Sequence, residues 1–448
     1  MNLGVIGAGY VGLTTAICLA SLNHKVIIYD TDRRKIEKIK NKQMPFFEDG
    51  LQNLLEKTIT SKNLICVDNI DNLVQDTDFC FICVGTPTTQ DGFIDLTQIL
   101  AAITSLAVSL QKNKKNDFVI IIRSTVIPKT TRSKILPILK EILGEQQFGL
   151  CVVPEFLREG QALGDFVNPD KIVIGGFDEQ SKDLVEKIFE YFKVRAKIIK
   201  TNPETAELIK YTNNAFFSLL ISFANEIANI SEKISGVDSF EVMNALISDK
   251  RITTKLDAGD IVPELKSYLI PGCGFGGSCF PKDVRAILQY ASINQVKTPI
   301  LNAVLEINDE RPRRIVSMAE SLLGDLKGKK IAVLGLTFKP DTDDMRSSPA
   351  LTAIEIFQNR GATIIAYDPL ISKKNQENPF DFALAKTIDA CLDKCNLAIL
   401  FTKWAEFQSI NSNFLKQHME NPLIIDGRGF LDQSKFERNT YYKIGFVK

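Results

Sequence analysis

The sequence predicts an α/β protein: two doubly wound parallel sheets joined by a long central helix. Three observations carry this reading. Short apolar runs alternate with helical stretches up to about residue 200, an uninterrupted helical pattern then begins near Thr201, and the alternation resumes at Lys329 and runs to the end. Strands alternating with helices imply parallel pairing with helical cover on both faces. A chain of 448 residues is too long for one ordinary core. The pattern divides it at 1–200, 201–325 and 326–448.

In chain order, LGVIG, KVIIYD, FCFICVG, FVIIIRS, GLCVVPE and KIVIGG read as strands. TTAICLASL, LTQILAAITSLAVSL and TTRSKILPILKEIL read as helices between them. The central helix opens on a cap-like Thr201-Asn202 followed by Pro203 and Glu204, and runs to Gly236. At about 1.5 Å per residue it makes a rod of roughly 50 Å. It is too polar to cross a membrane. More helical sequence follows to about residue 325, interrupted by a glycine-rich stretch, and KKIAVLG, ATIIAYDP, LAILFT and PLIIDGRG then read as strands. KKIAVLGLTF matches MNLGVIGAGY in pattern but lacks the glycines that follow it, so only the first half looks built for a dinucleotide.

Composition narrows the function classes. Lys+Arg and Asp+Glu are equal at 54 each, which excludes a general attraction to nucleic acid or an anionic membrane. MNLGVIGAGY carries neither the basic nor the apolar segment of a signal peptide. FVIIIRSTVI is broken by Arg123 and is too short to span a bilayer. Nine cysteines, an odd number scattered over a long chain, argue against a disulfide framework and for a reducing, cytoplasmic setting. Cys80 and Cys83 have CxxC spacing but fall in a strand, where they should face opposite ways. Cys391 and Cys395 are expected to share a helix as packing residues, and His24 and His418 cannot build a metal site by themselves. No metal is expected.

GAGYVG, Gly7 to Gly12, follows the first strand and opens the first helix, and the second strand ends on Asp30. This is the dinucleotide-binding (Rossmann) arrangement, and it makes the expected fold two Rossmann-like domains around the central helix. Gly7 makes the tight turn, Gly9 admits the pyrophosphate and Gly12 allows close helix–strand packing. Tyr10 and Val11 start the helix whose N–H groups meet the phosphates. Asp30 would accept from a ribose 2′-OH and repel a 2′-phosphate, favouring NAD over NADP, although Arg33 and Arg34 beside it pull the other way. Thr86 in VGTP and Ser124-Thr125 in RSTV end strands, the place where ligands bind in open α/β sheets. Glu155 and Glu159 of PEFLREG follow another strand end. Lys210 and Asn214 lie four apart on one face of the central helix. Taken alone, each of these pairs also fits an ordinary solvated or polar face.

Cys279 in GCGFGGSCFPKD is more specific. Pro281 suits the first helical position, which puts Lys282 and Asp283 in the opening turn. A thiol beside helix-terminal N–H groups and an ammonium is favoured as thiolate. A thiolate near NAD points to attack on a carbonyl: an aldehyde made by one hydride transfer is trapped as a thiohemiacetal, oxidised to a thioester and hydrolysed. The glycines would admit the substrate.

Together GAGYVG, VGTP, RSTV, PEFLREG with NPDKIVIGG, ELIKYTNN, GFGGSCFPKD, GLTFKPDTDDMRSSPA and DGRG resemble the UDP-glucose 6-dehydrogenase family, within the nucleotide-sugar dehydrogenases, over almost the whole chain. The resemblance implies a Rossmann domain, a long central helix, a second Rossmann-like domain for the nucleotide sugar, and a homodimer. It implies the conversion of UDP-glucose, two NAD⁺ and water to UDP-glucuronate and two NADH. By matching motif, Cys279 is the nucleophile, Lys210 and Asn214 hold the sugar hydroxyl and then the oxyanion, and Asp283 positions water or accepts a proton. Glu155, through Thr125 and a water, is the base for thioester hydrolysis. Glu155, Phe156, Leu157, Arg158, Glu159, Tyr268, Leu269, Ile270, Pro271, Gly272, Gly276, Lys339 and Arg428 resemble substrate residues. Asp30, Lys35, Thr86, Thr125, Glu159, Lys282 and Arg346 resemble NAD residues. The family places an arginine just before the aromatic that opens the substrate loop, reaching the partner's site. Here Arg251 is followed by TTKLDAGDIVPELKS before Tyr268, an apparent insertion, so that role is not assigned to it. GDP-mannose 6-dehydrogenases share the two-step logic, but PEFLREG and NPDKIVIGG fit the UDP-glucose branch better. A two-electron β-hydroxyacid-type dehydrogenase would need the lysine and asparagine but no thiol, and an NAD sensor without turnover would need neither.

Overall fold

The structure is a computed structural model that describes residues 1–89, 91–256, 259–261, 263–374 and 378–446, with backbone only at 255, 256, 259, 260 and 374. It divides into two compact units, Met1–Asn213 and Asn214–Lys448. The division falls inside the helix Pro203–Ser231.

The first unit is built on an eight-stranded sheet: β1 (Asn2–Ile6), β2 (Lys25–Tyr29), β3 (Leu64–Cys66), β4 (Phe79–Ile82), β5 (Phe118–Ile122), β6 (Phe148–Val152), β7 (Lys171–Gly176) and β8 (Lys197–Thr201). Their order is β3-β2-β1-β4-β5-β6-β7-β8. Pairing is parallel except between β6 and β7, which run antiparallel. Because successive side chains alternate in a strand, the sheet has a core on each face. Leu3, Val5 and Phe81 pack with Leu13 and Ile17 of helix Tyr10–Ser21 on one side. Ile6, Ile27, Cys80 and Ile82 pack with Ile99, Ile103 and Leu106 of helix Thr97–Lys112 on the other. Cys83 joins the first core and Cys80 the second, so the CxxC pair faces opposite ways as expected. Strand order reverses between β1 and β4, and their carboxyl ends carry GAGYVG and VGTP.

The central helix runs from Pro203 to Ser231, capped by Asn202 Oδ1 accepting the Thr205 N–H at 2.8 Å. Its 29 residues span about 44 Å. It stops short of Gly236, which takes φ +77° in the turn that follows. A short hairpin pairs β9 (Thr254–Leu256) with β10 (Gly259–Ile261), within the segment that reads as an insertion.

The second unit holds a six-stranded sheet of β11 (Lys330–Leu334), β12 (Thr363–Tyr367), β13 (Ala383–Leu384), β14 (Leu397–Leu400), β15 (Ile424–Asp426) and β16 (Tyr441–Lys443), ordered β13-β12-β11-β14-β15-β16 and parallel throughout. Helices Pro299–Leu323 and Pro349–Asn359 cover one face through Ile315, Val316, Ala353 and Phe357. Cys391, Trp404 and Phe407 pack on the other. Cys391 and Cys395 do not share a helix: Ile388–Leu392 ends between them, and both are core residues. Among the described residues no His, Cys, Asp and Glu cluster suits a metal ion, and no helix is long and apolar enough to cross a membrane.

Candidate active site

In the first unit the glycines divide their work. A side chain at Gly7 (φ +104°) would meet the Cys83 carbonyl oxygen at 2.6 Å, and one at Gly12 would meet the Gly7 oxygen at 1.9 Å. These two are required by the turn and the packing. A Cβ at Gly9 would meet nothing within 4 Å, and its backbone is extended (φ −77°, ψ −171°). Among the described residues no neighbour demands glycine there, and open room beside a helix N-terminus is what a pyrophosphate needs. Asp30 closes the turn, its two oxygens accepting the Ala8 N–H at 2.6 Å and the Asp32 N–H at 2.8 Å, with Lys35 Nζ 3.7 Å away. Arg34 is tied to Asp32, while Arg33 is exposed. Thr86 donates its hydroxyl to the Thr125 carbonyl at 2.8 Å, joining VGTP to RSTV.

The same unit holds a buried ion pair. Lys210 Nζ reaches Glu155 Oε1 at 3.0 Å, with both residues no more than 5% exposed. Glu155 Oε2 accepts the Leu157 N–H at 2.7 Å. Burial pushes the Glu155 carboxyl up, but the Lys210 ammonium, Arg123 and the Leu157 N–H outweigh it and hold the group below the ordinary carboxylate range. Phe156 lies under two ammonium groups, Lys171 at 4.4 Å and Lys210 at 5.5 Å from the ring centroid. Arg158 clamps the loop to the helix Ala162–Val167 through Asp165, at 2.6 Å. Glu159 lies beside Tyr10, whose phenol is raised by burial first, then by Glu48, and further by Glu159.

In the second unit Cys279 immediately precedes the helix Phe280–Ile293, and its carbonyl accepts the Asp283 N–H at 2.8 Å. The helix starts one residue before Pro281, so Pro281 is second in it and Lys282 and Asp283 complete the opening turn. Seven of the nine cysteines are buried, and only Cys66 and Cys279 are partly exposed. Burial holds the Cys66 thiol up at about 12, and Cys66 lies in the edge strand β3. Ser278 Oγ lies 3.4 Å from Cys279 Sγ. Asp283 is 1% exposed, accepts the Asn214 amide at 2.6 Å and pairs with Lys282 at 2.5 Å. Lys210 and Asn214 are thus one turn apart on the central helix, one on Glu155 and the other on Asp283.

The four glycines upstream of Cys279 approach the protein itself. A Cβ at Gly276 would meet the Ser347 oxygen at 2.3 Å, one at Gly277 the Phe338 ring at 2.9 Å, one at Gly274 Asn308 Oδ1 at 2.8 Å, and one at Gly272 Arg428 Nη1 at 3.0 Å. These contacts seat the cysteine loop on its neighbours. Tyr268 packs 4.4 Å from Phe217 between ring centroids, Leu269 and Pro271 are buried, and Ile270 is half-buried. Lys339 follows β11 and lies over the Phe338 ring, Arg346 pairs with Asp344 at 2.7 Å, and Arg428 donates to the Phe401 and Gly274 carbonyls at 2.7 and 3.1 Å. Arg251 is exposed and paired with Asp249.

Family models match in three consecutive stretches: an NAD binding domain of the UDP-glucose/GDP-mannose dehydrogenase family over residues 1–193, its central domain over 204–310 and its UDP binding domain over 332–433. The UDP-glucose 6-dehydrogenase AglM of Haloferax volcanii is 37% identical over 96% of both chains. TuaD of Bacillus subtilis, also a UDP-glucose 6-dehydrogenase, is 36% identical over 99% of this chain and 93% of its own. The chain belongs to the UDP-glucose/GDP-mannose dehydrogenase family. A UDP-glucose dehydrogenase structure from Pyrobaculum islandicum aligns over 100% of this chain and 98% of its own, with a TM-score of 0.90 at 32% identity.

Several residues that build the site in this family member escape sequence reading. Arg123 is buried at the end of β5, donating to Thr15 Oγ1 at 3.0 Å, and adds positive charge beside Glu155. Asn225, Asn308 and Arg311 hold the cysteine loop by its backbone: Asn225 accepts the Gly272 N–H at 2.8 Å, Asn308 the Phe275 N–H at 2.7 Å, and Arg311 donates to the Gly272 carbonyl at 2.9 Å. Glu48 accepts from the backbone of the PEFLREG region. Arg123 had a signal, a charge that breaks an apolar run of sequence. The others are single polar residues in ordinary surroundings.

Proposed function

We propose that this NAD-dependent UDP-glucose 6-dehydrogenase carries out both oxidations at one centre, with Cys279 holding the sugar covalently between them. The carrying observation is the partly exposed thiol at the start of a helix whose opening turn holds a buried carboxylate, Asp283, bonded to Asn214. NAD⁺, when bound, accepts a hydride from the sugar carbon in each oxidation. The room at Gly9, the Asp30 turn and the Thr86–Thr125 link fit it. Lys210 and Asn214 orient the C6 hydroxyl and stabilise the alkoxide formed as its proton passes through ordered water to Asp283, and the alkoxide collapses to the aldehyde as the first hydride leaves. Cys279 Sγ adds to the resulting aldehyde carbon, forming a thiohemiacetal, and loss of the second hydride leaves a thioester. Glu155, ionised at neutral pH, takes a proton from the attacking water, the C–S bond breaks, and the thiolate is restored as the carboxylate product leaves. General-base help of this kind is worth about 10²–10⁴ in rate. Asp283 fixes the Asn214 amide and orders water.

The division at 1–200, 201–325 and 326–448 serves this scheme, with dinucleotide, linking and sugar-nucleotide parts. Nine free thiols suit the reducing cytoplasm. A homodimer is supported by the exposed face of the central helix, where Phe216, Phe223 and Ile230 recur every seven residues.

The test is stoichiometry. Two NADH per UDP-glucose consumed are expected, and one would remove the four-electron scheme. Cys279→Ser should slow turnover by at least a hundredfold with NAD affinity nearly unchanged. Parallel loss of NAD binding would make the cysteine structural.

A further inference from the structure

Glu48 lies between the helices Arg33–Lys40 and Leu51–Thr60, in FFEDG, and is 5% exposed. Among the described residues no cation pairs with it, and its charge is met by three donors. Oε2 accepts the Tyr10 hydroxyl and the Gly160 N–H at 2.7 Å, and Oε1 accepts the Ala162 N–H at 2.7 Å. Tyr10 is the first residue of the helix that opens from GAGYVG, and its ring packs 5.0 Å from Phe46. Gly160 takes φ +77° at the end of PEFLREG, and Ala162 begins the next helix. One buried carboxylate therefore joins the dinucleotide turn to the loop that carries Glu155 and Glu159. Hydrogen bonds to a charged acceptor are about twice as strong as neutral ones, so a shift at either end is felt at the other.

We propose that Glu48 is a positioning residue that couples dinucleotide binding to sugar-nucleotide binding. The inference rests on the functional reading above. A dinucleotide that settles the helix start fixes the Tyr10 phenol, and through Glu48 fixes the backbone of residues 155–160. The coupling is reciprocal by necessity, and typical couplings are about 5–150-fold.

Calorimetric titration of UDP-glucose into the full-length protein, with and without saturating NADH, reads it directly, since that pair of ligands does not turn over. The wild type is expected to bind UDP-glucose at least about fivefold more tightly with NADH present. Tyr10→Phe keeps both N–H partners of Glu48 and should bring the factor close to one, as should Glu48→Gln. The double variant should lose no more than either alone. A purely structural role would weaken both affinities and leave the factor unchanged. If Tyr10→Phe folds with wild-type thermal stability and retains the full factor, the proposal is wrong, and a wild type that binds UDP-glucose without any coupling overturns it equally while leaving the activity intact. A wild type that binds no UDP-glucose overturns this proposal together with the activity on which it rests.

Discussion

The Glu155 carboxylate, closed off from water and 3.0 Å from Lys210 Nζ, illustrates what buried charge requires of its neighbours. Removing one member of such a pair leaves the other uncompensated, which costs roughly 3–5 kcal/mol. Glu155→Gln should therefore lower the unfolding free energy by about that much near pH 7. Because the folded pKa is depressed, this stabilisation is complete above the unfolded value and disappears as pH falls through the folded one. Urea midpoints for wild type and variant should differ clearly at pH 7 and converge in acid below the ordinary carboxylate range. Equal midpoints at pH 7 would mean that Lys210 carries no net burden from losing its partner. The candidate residues of GAGYVG, PEFLREG and FPKD were legible because several unusual residues stand together in each. Glu48, Asn225, Asn308 and Arg311 were not, since a side chain that serves another segment's backbone has no partner within its own stretch of sequence. The close approaches of the cysteine-loop glycines were hidden for the same reason: a cluster of glycines says that something comes near, but not what.

At the scale of elements, the strands read most easily were those buried on both faces. β3, β13 and β16 are two or three residues long, and β8 is nowhere fully buried, so none of them offers a long apolar run. The stretch TTRSKILPILKEIL reads as one helix but begins as a π-helical turn, Thr131–Ile135, before Leu136–Leu143. Glu207 on the central helix serves that turn, accepting the Lys129 N–H at 2.7 Å and the Thr131 N–H at 2.9 Å while 2% exposed. Burial raises its carboxyl to about 7 against the pull of those hydrogen bonds. The native state then holds a proton that the unfolded chain releases from about pH 4.5 upward. Stability gained from that proton is full at low pH and declines as pH rises through about 7. The difference in urea midpoint between wild type and Glu207→Gln should shift against the wild type between pH 5 and pH 8. A pH-independent difference would show that the two N–H groups keep Glu207 ionised throughout.

For the molecule as a whole, the division into two α/β sheets was legible because each alternating region is long, and the helix between them has no strand within it. Which surfaces meet a second copy depends on what the fold leaves uncovered. Phe216, Phe223 and Ile230 are 47%, 40% and 55% exposed on the central helix. Seven residues are almost two helical turns, so the three share one face. Exposed apolar residues are ordinary when scattered, but a continuous row of large ones marks an interaction surface. In a twofold dimer the same patch is used by both copies, so a charge placed near the axis meets its own image. Phe223→Glu would combine lost apolar burial with like-charge repulsion, while its side chain remains in water within the single chain. The wild type should sediment at twice 50.0 kDa and the variant at 50.0 kDa, with its helical circular dichroism retained. A variant that stays dimeric would place the interface on another surface, and a monomeric wild type would leave this face without the proposed partner.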